Sequence, residues 1–341
     1  MVHPGFPLAD HLQGSGMPQL FDRLSTARVK HRHGLAHRLR RRAILRAGLG
    51  VTGLLLAGGG AAMSSEVRPY SMRIVQSGHS LTDPVVPMLD AMVAAVGRDA
   101  ARGRVIHRST IPGSPMDWRW NNSRDSGPDA RRDIADYDML VITERVALSN
   151  TLPWHDSEAM ALRWFTHAWQ EGNDGNGAQT ILYATWVHTD SGPDFDNPHN
   201  DPEGHKPFRT RLPREMANWQ AIADHVNEQR PADAPPMRVI PGPMIMAAAY
   251  DAIEAGHAPG LSRIEDLFFD TIHLSDAGTY LIALAHFAVI YGRDPREVPD
   301  GLGRHAVPAP RTAAWMKDLV HEILIDYPDS GLADAGLADP G

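Results

Sequence analysis

The 341-residue chain is 43% hydrophobic and 22% charged, contains no cysteine, and carries a formal net charge of -8. Its length provides for one large domain or two small ones, and zero Cys excludes disulfides, thiolate catalysis, Cys-ligated zinc and iron–sulfur clusters. The acidic balance argues against a general nucleic-acid binder, which needs basic surface to displace counterions.

That net charge hides a division along the chain. Residues 1–62 hold nine Lys/Arg and only Asp10 and Asp22 as acids, leaving 24 basic against 39 acidic residues, a balance of -15, in 63–341. The cluster Arg40-Arg41-Arg42, with Arg46, precedes an uncharged Gly/Ala/Leu run from Ala47 to Ala62. This run is shorter than the ~20 apolar residues a spanning helix needs. It ends in Gly60-Ala61-Ala62, small residues that suit a signal peptidase. A basic start, a mildly apolar centre and a small-residue exit describe a secretory signal, and the Arg pair resembles a twin-arginine export signal. Met17 offers a second start, and the other reading of the segment is a basic tail with an uncleaved anchor. The expectation is cleavage near Ala62, export through the twin-arginine translocation machinery, and a periplasmic or secreted protein with no stable membrane anchor.

From Met72 onward, short apolar runs alternate with helical patterns, as in a parallel sheet with crossover helices. Strands are predicted at 72–77, 104–110, 138–143, 180–185 and 237–241. Asp83 is placed as the cap of the first helix, with Pro84 in its first turn. Val85, Leu89, Met92, Val93 and Val96 share one helical face. Further helices are predicted at 157–171, 213–229, 243–256, 275–291 and 311–326. Residues 187–212 read as a long polar loop, and 328–341 as a low-complexity, disordered tail outside a domain spanning 63–327.

In an open parallel sheet the loops after the strand C-termini gather around one crevice. The first such loop is Ser77-Gly78-His79-Ser80-Leu81-Thr82-Asp83. A Ser leaving a strand beside a Gly can present its hydroxyl among outward N–H groups, although such a Ser also serves as a plain cap. Near the other end lies Asp270-Thr271-Ile272-His273-Leu274-Ser275-Asp276-Ala277-Gly278. An Asp three residues before a His can accept from Nδ1–H and so make Nε2 a base. The same pair also suits a metal ligand or a capping turn.

Together the two loops resemble the first and last blocks of the SGNH (GDSL-like) hydrolase superfamily, over about 68–295. The resemblance implies a three-layer α/β/α sandwich with a five-stranded parallel sheet of the flavodoxin-like kind. It implies Ser80 as nucleophile, His273 as general base and then acid, and Asp270 as its orienting group. It also places Gly113, in Ile111-Pro112-Gly113-Ser114-Pro115, at the oxyanion position. Two departures stand out. His79 occupies the family's Asp position and is expected to face away from the nucleophile. Ile142-Thr143-Glu144-Arg145 stands where the family has Gly-x-Asn-Asp, and an ionised Glu144 cannot donate to an oxyanion. Glu144 is therefore expected in the site either protonated by burial or turned to a substrate hydroxyl or Arg145, with Asn121 or Asn122 as substitute donors.

Trp118, Trp120, Trp154 and Trp186 each follow a predicted strand, and Trp118 and Trp120 are the expected sugar- or acyl-stacking pair. The His/Asp-rich loop from His188 to His205 has irregular spacings and reads as a solvated lid rather than a metal site. No metal or cofactor is expected. The function implied is an exported serine esterase, foremost a carbohydrate O-acyl (acetyl) esterase acting on a small-molecule or glycan ester. A lipid or thioester hydrolase, and a non-hydrolytic acyl-glycan-binding or acyltransferase domain, are the alternatives. The charge of -15 disfavours anionic substrates and anionic membrane surfaces.

Overall fold

The structure, a computed structural model, describes residues 67–123 and 126–332. The proposed export segment and residues 333–341 lie outside the described residues. Five strands form one parallel sheet: β1 (Arg73–Gly78), β2 (Val105–Thr110), β3 (Met139–Ile142), β4 (Gln179–Ala184) and β5 (Arg238–Pro241), in the order β2-β1-β3-β4-β5. Each coincides with a predicted strand to within a residue or two. β1 lies central to the site, with Gly78 opposite Thr110 on one side and Ser77 opposite Ile142 on the other.

Side chains alternate across the strands, and the inner strands are buried on both faces, while the edge strand β2 exposes His107 and Arg108. Ile74, Met139, Val141, Ile181, Tyr183 and Ile240 face one core. It is closed by α1 (Val85–Gly97), α6 (Gly242–Glu254), α7 (Asp276–Tyr291) and α8 (Pro310–Asp326). Val75, Leu140, Ile142, Leu182 and Val239 face the other. There α2 (Met116–Asn121), α4 (Ser157–Gly175) and most of α5 (Phe208–Gln229) pack, with α3 (Leu148–Thr151) joining at Leu148. The architecture is thus the three-layer α/β/α sandwich with a five-stranded parallel sheet. α7 is buried on nearly every side, which its apolar composition around the whole helix requires.

Local signals account for most helix limits. Val85, Leu89, Met92 and Val93 of α1 are buried and Val96 packs partly buried against the same core. Ser275 caps α7 by accepting the Gly278 N–H at 3.3 Å. The backbone of α4 leaves helical geometry at Gly172 and becomes left-handed at Asn173 and Asp174, so its regular part ends at 171 as expected. Three expectations need correction. Asp83 does not cap α1; its carboxylate accepts from Thr110 Oγ1 at 2.6 Å and pairs with Arg108 at 3.3 Å, tying the turn to β2. α5 begins at Phe208, not at Pro213, so the long loop ends at 207. The tail is ordered over 328–332, where a 3₁₀ turn buries Ser330 and Leu332 and Ser330 Oγ donates to the Leu324 carbonyl at 2.6 Å.

Candidate active site

The turn that carries Ser80 is built by packing at Gly78. A Cβ there would sit 2.1 Å from Thr82 Oγ1, so no larger residue fits before the chain turns. The Thr82 N–H then donates to the His79 carbonyl at 2.8 Å, closing a tight turn with Ser80 at its tip.

Asp270 and His273 share one small loop at the entrance to α7. It is pinched by an antiparallel bridge between Phe268 and Leu274, and by the Phe269 N–H donating to the His273 carbonyl at 2.7 Å. From behind, the indole N–H of Trp186 donates to the Ile272 carbonyl at 2.9 Å. From the side, the Thr189 N–H donates to the Thr271 carbonyl at 2.8 Å. Asp270 Oδ1 accepts from the Ile272 and His273 N–H groups at 2.9 and 2.7 Å. Its Oδ2 accepts from His273 Nδ1–H at 2.7 Å, which leaves Nε2 to accept from Ser80 Oγ at 2.8 Å. Partial burial works against the carboxylate, but these three N–H donors outweigh it and hold the Asp270 pKa down to about 2. The three residues therefore form one hydrogen-bonded line from carboxylate to hydroxyl.

This line opens into a cleft of about 440 Å³, within the size range of small-molecule sites. Gly113 lines it next to Ser80, with φ +64°, a conformation glycine adopts without penalty. Among the described residues the backbone N–H groups of Ser80 and Gly113 have no protein acceptor. The loop from 187 to 207 supplies the facing wall through His188, Asp190, Asn197, His199 and Asp201. It is anchored rather than free-standing. Asp201 accepts from Ser149 Oγ at 2.6 Å and forms a buried ion pair with Arg211 of α5. Burial lowers the His188 pKa, so the ring is biased to its neutral form, and it lies 3.1 Å from Thr271 Oγ1. No group of three or more His, Asp and Glu among the described residues is arranged to hold a metal ion.

Several expected site residues lie elsewhere. Glu144 is fully buried behind the cleft. Its carboxylate accepts from the Met116 N–H at 2.9 Å, the Arg145 N–H at 2.7 Å and Ser157 Oγ at 3.0 Å, so it joins three loops and does not face Ser80. Burial raises its pKa, opposed chiefly by the nearby Arg119 cation. Arg119 is itself buried, and donates to Ser77 Oγ at 3.1 Å and to the carbonyls of Ser114 and Thr143. His79 is buried too and held at a pKa of about 4 by desolvation and by Arg119; its Nε2–H donates to the Glu144 carbonyl at 2.9 Å. It lines the cleft, but its ring serves this inter-loop bond.

The tryptophans also move out of the site. Residues 116–121 are helical, and residues two apart on a helix point to roughly opposite sides. Trp120 packs edge-on against Trp164 in the core, its ring centroid 5.0 Å away, while Trp118 is 54% exposed. Trp154 is 78% exposed and Trp186 is buried behind the His273 loop. Asn121 and Asn122 donate to the Asp117 and Trp118 carbonyls, both at 2.9 Å, and close their own helix. Two cleft residues that the sequence reading did not single out as lining are Arg145 and Asn150.

No protein-family model matches the sequence, and no curated protein matches it. Among solved structures, the chain is similar to a DUF4886 family protein from Bacteroides uniformis ATCC 8492. The identity is 14%, over 76% of this chain and 96% of that one, with a TM-score of 0.52. It also matches a protein from Slackia heliotrinireducens provisionally described as an SGNH hydrolase (20% identity, 63% and 97% coverage, TM-score 0.41). A third match is an acetyl xylan esterase, AlAXEase (14% identity, 64% and 100% coverage, TM-score 0.40). At these identities the likeness concerns the fold.

Proposed function

We propose that the chain is a serine esterase that works through an acyl-enzyme on Ser80. The observation that carries this reading is the unbroken line Asp270 Oδ2, His273 Nδ1, His273 Nε2 and Ser80 Oγ, with its hydroxyl end in the cleft. As Ser80 Oγ bonds to the ester carbonyl carbon, its proton passes to His273 Nε2 and the carbonyl π pair moves to oxygen. The N–H groups of Ser80 and Gly113 receive that oxygen. Collapse expels the alcohol, which takes the proton from His273. Water, activated by the same nitrogen, then releases the acid and frees Ser80.

The substrate proposed is an ester of a short acyl group, foremost acetyl, with a sugar hydroxyl. The wall opposite Ser80 carries imidazole, carboxylate and carboxamide groups that can exchange hydrogen bonds with hydroxyls, and Leu81, Val146, Ala147, Pro198 and Ile272 add apolar surface suited to a short acyl chain. Sugar recognition would therefore rest on hydrogen bonding rather than on tryptophan stacking. Purified protein is expected to release acetate from acetylated xylan and to hydrolyse p-nitrophenyl acetate. A fluorophosphonate probe should label Ser80 and leave Ser80→Ala unlabelled. Equal background hydrolysis by both proteins, with no labelling, would overturn the reading.

Residues 1–62 are proposed as an export address of the twin-arginine type, which would put the esterase in the periplasm or medium. Replacing Arg41 and Arg42 by Lys is expected to trap the precursor inside the cell. Unchanged delivery in a fractionation experiment would remove the twin-arginine assignment.

A further inference from the structure

Three adjacent strands deliver three loops to the nucleophile. β1 is the middle one, flanked by β2 and β3, and its pairing continues just beyond the strand ends. The Ile111 N–H donates to the Gly78 carbonyl at 3.1 Å, and the Thr143 N–H to the Ser77 carbonyl at 3.3 Å. From these rungs the chain runs two residues to Gly113, two to Ser80 and two to Arg145, and all three line the same cleft. Ser80 therefore sits between Gly113 on one side and Arg145 on the other.

The buried neighbours of Arg145 hold it in this place. Glu144 Oε1 accepts the Arg145 N–H at 2.7 Å, turning the backbone of residue 145 inward. The Glu144 carbonyl accepts from the ring of His79, the residue just before Ser80, so the two loops cannot drift apart. The half-buried Arg145 side chain rests on the protein by one long contact, Nε to Thr151 Oγ1 at 3.4 Å. Among the described residues no ion pair and no other side-chain hydrogen bond involves it. The cleft's other guanidinium, that of Arg211, is already paired with Asp201.

We propose that Arg145 supplies the third oxyanion donor, opposite the Gly113 N–H, in place of the amide that residue 144 cannot provide. This rests on the esterase reading and assigns a further catalytic residue within it. A guanidinium N–H is a charge-assisted donor, and its cation gains most when the carbonyl oxygen becomes an anion. His79, Glu144 and Arg145 then act as one unit: two buried groups position a cation where a neutral amide would otherwise stand. Glu144 is the positioning residue, and Arg145 touches the reacting oxygen.

The test compares wild type, Arg145→Ala and Arg145→Lys on p-nitrophenyl acetate, and measures inhibition by phenylboronic acid. A boronic acid adds to a serine oxygen and places a tetrahedral oxygen in the oxyanion position. Arg145→Ala is expected to lose about 10²-fold or more in kcat, with KM changed by less than about threefold. Its boronate affinity should fall as well. Arg145→Lys, which keeps a cationic donor, is expected to recover at least about tenfold of the kcat loss. A kcat within about threefold of wild type, a loss carried by KM alone, or unchanged boronate affinity overturns the Arg145 assignment and leaves the esterase reading intact. Wild-type protein that neither hydrolyses the ester nor reacts with a fluorophosphonate overturns both.

Discussion

Asp270→Asn is expected to lower kcat for ester hydrolysis by about 10⁴, with the far-UV spectrum unchanged. The carboxylate does two jobs in this loop. Oδ1 holds the Ile272 and His273 N–H groups, and Oδ2 holds Nδ1–H of the imidazole. Asparagine can do the first with its carbonyl oxygen, so the loop keeps its shape. It must then present NH₂ to the imidazole, which drives the ring proton to Nε2. Ser80 would face a donor where it needs an acceptor. The pH dependence follows the same logic. The folded-state pKa of Asp270 is depressed to about 2 from an ordinary 3.8, so the orienting charge persists in the native protein through mildly acid pH. Its contribution is lost only as pH falls from 3.8 through about 2. A tenfold or smaller loss in kcat for Asp270→Asn would mean that His273 is oriented without it.

The largest effect on stability is expected from Arg119→Met, at about 3–5 kcal/mol in urea unfolding at constant m value. Arg119 offers its donors to Ser77 Oγ, Ser114 and Thr143, and thereby fastens β1, the loop after β2 and the end of β3 around one buried cation. Removing it strands those acceptors and leaves the Glu144 carboxylate buried without its opposing charge. Glu144→Leu in the Arg119→Met background should cost less than the sum of the single changes, because it removes the stranded carboxylate. Simple additivity would show that the two charges do not sense each other. Glu144→Asn discriminates further. At the oxyanion an Asn would restore a donor and hold or raise turnover. Behind the cleft, its shorter side chain cannot serve Met116, Arg145 and Ser157 together, and turnover should fall about tenfold or more.

The sheet was legible because each strand contains a short run of apolar residues bounded by turns, and the inner strands of a covered parallel sheet are apolar on both faces, whereas the edge strand β2 exposes His107 and Arg108. Ser80, Asp270 and His273 were singled out because a strand-end Gly-x-Ser and an Asp-x-x-His together resemble two blocks of one family; either motif alone suits a plain cap or turn. What escaped the sequence was direction. Trp118 and Trp120 were expected to stack together at the site, but a helix between β2 and β3 sends one to the core and the other to solvent. Glu144 was assigned by its place in a family block, which says nothing about which side of the backbone its carboxylate takes. Arg145, its neighbour, is the one that faces the cleft. The onset of α5 was missed because Pro213 resembles a first-turn marker, whereas Pro207 precedes the helix and Pro213 lies inside it. The role of 187–207 as a wall depends on the Asp201–Arg211 pair, a contact with no local signature.

The carboxylate and the imidazole sit three residues apart on one self-pinched loop, while the hydroxyl lies 193 positions away along the chain. Two of the three parts therefore share one short turn, which Trp186 and Thr189 brace from outside, and the turn after β1 brings the third. Closing so long a loop carries an entropic cost that local pairs avoid. The Asp270–His273 contact closes over three residues, whereas the Ser80–His273 contact closes over 193. Whether the imidazole finds a hydroxyl at Nε2 thus depends on one long-range placement, that of the turn after β1.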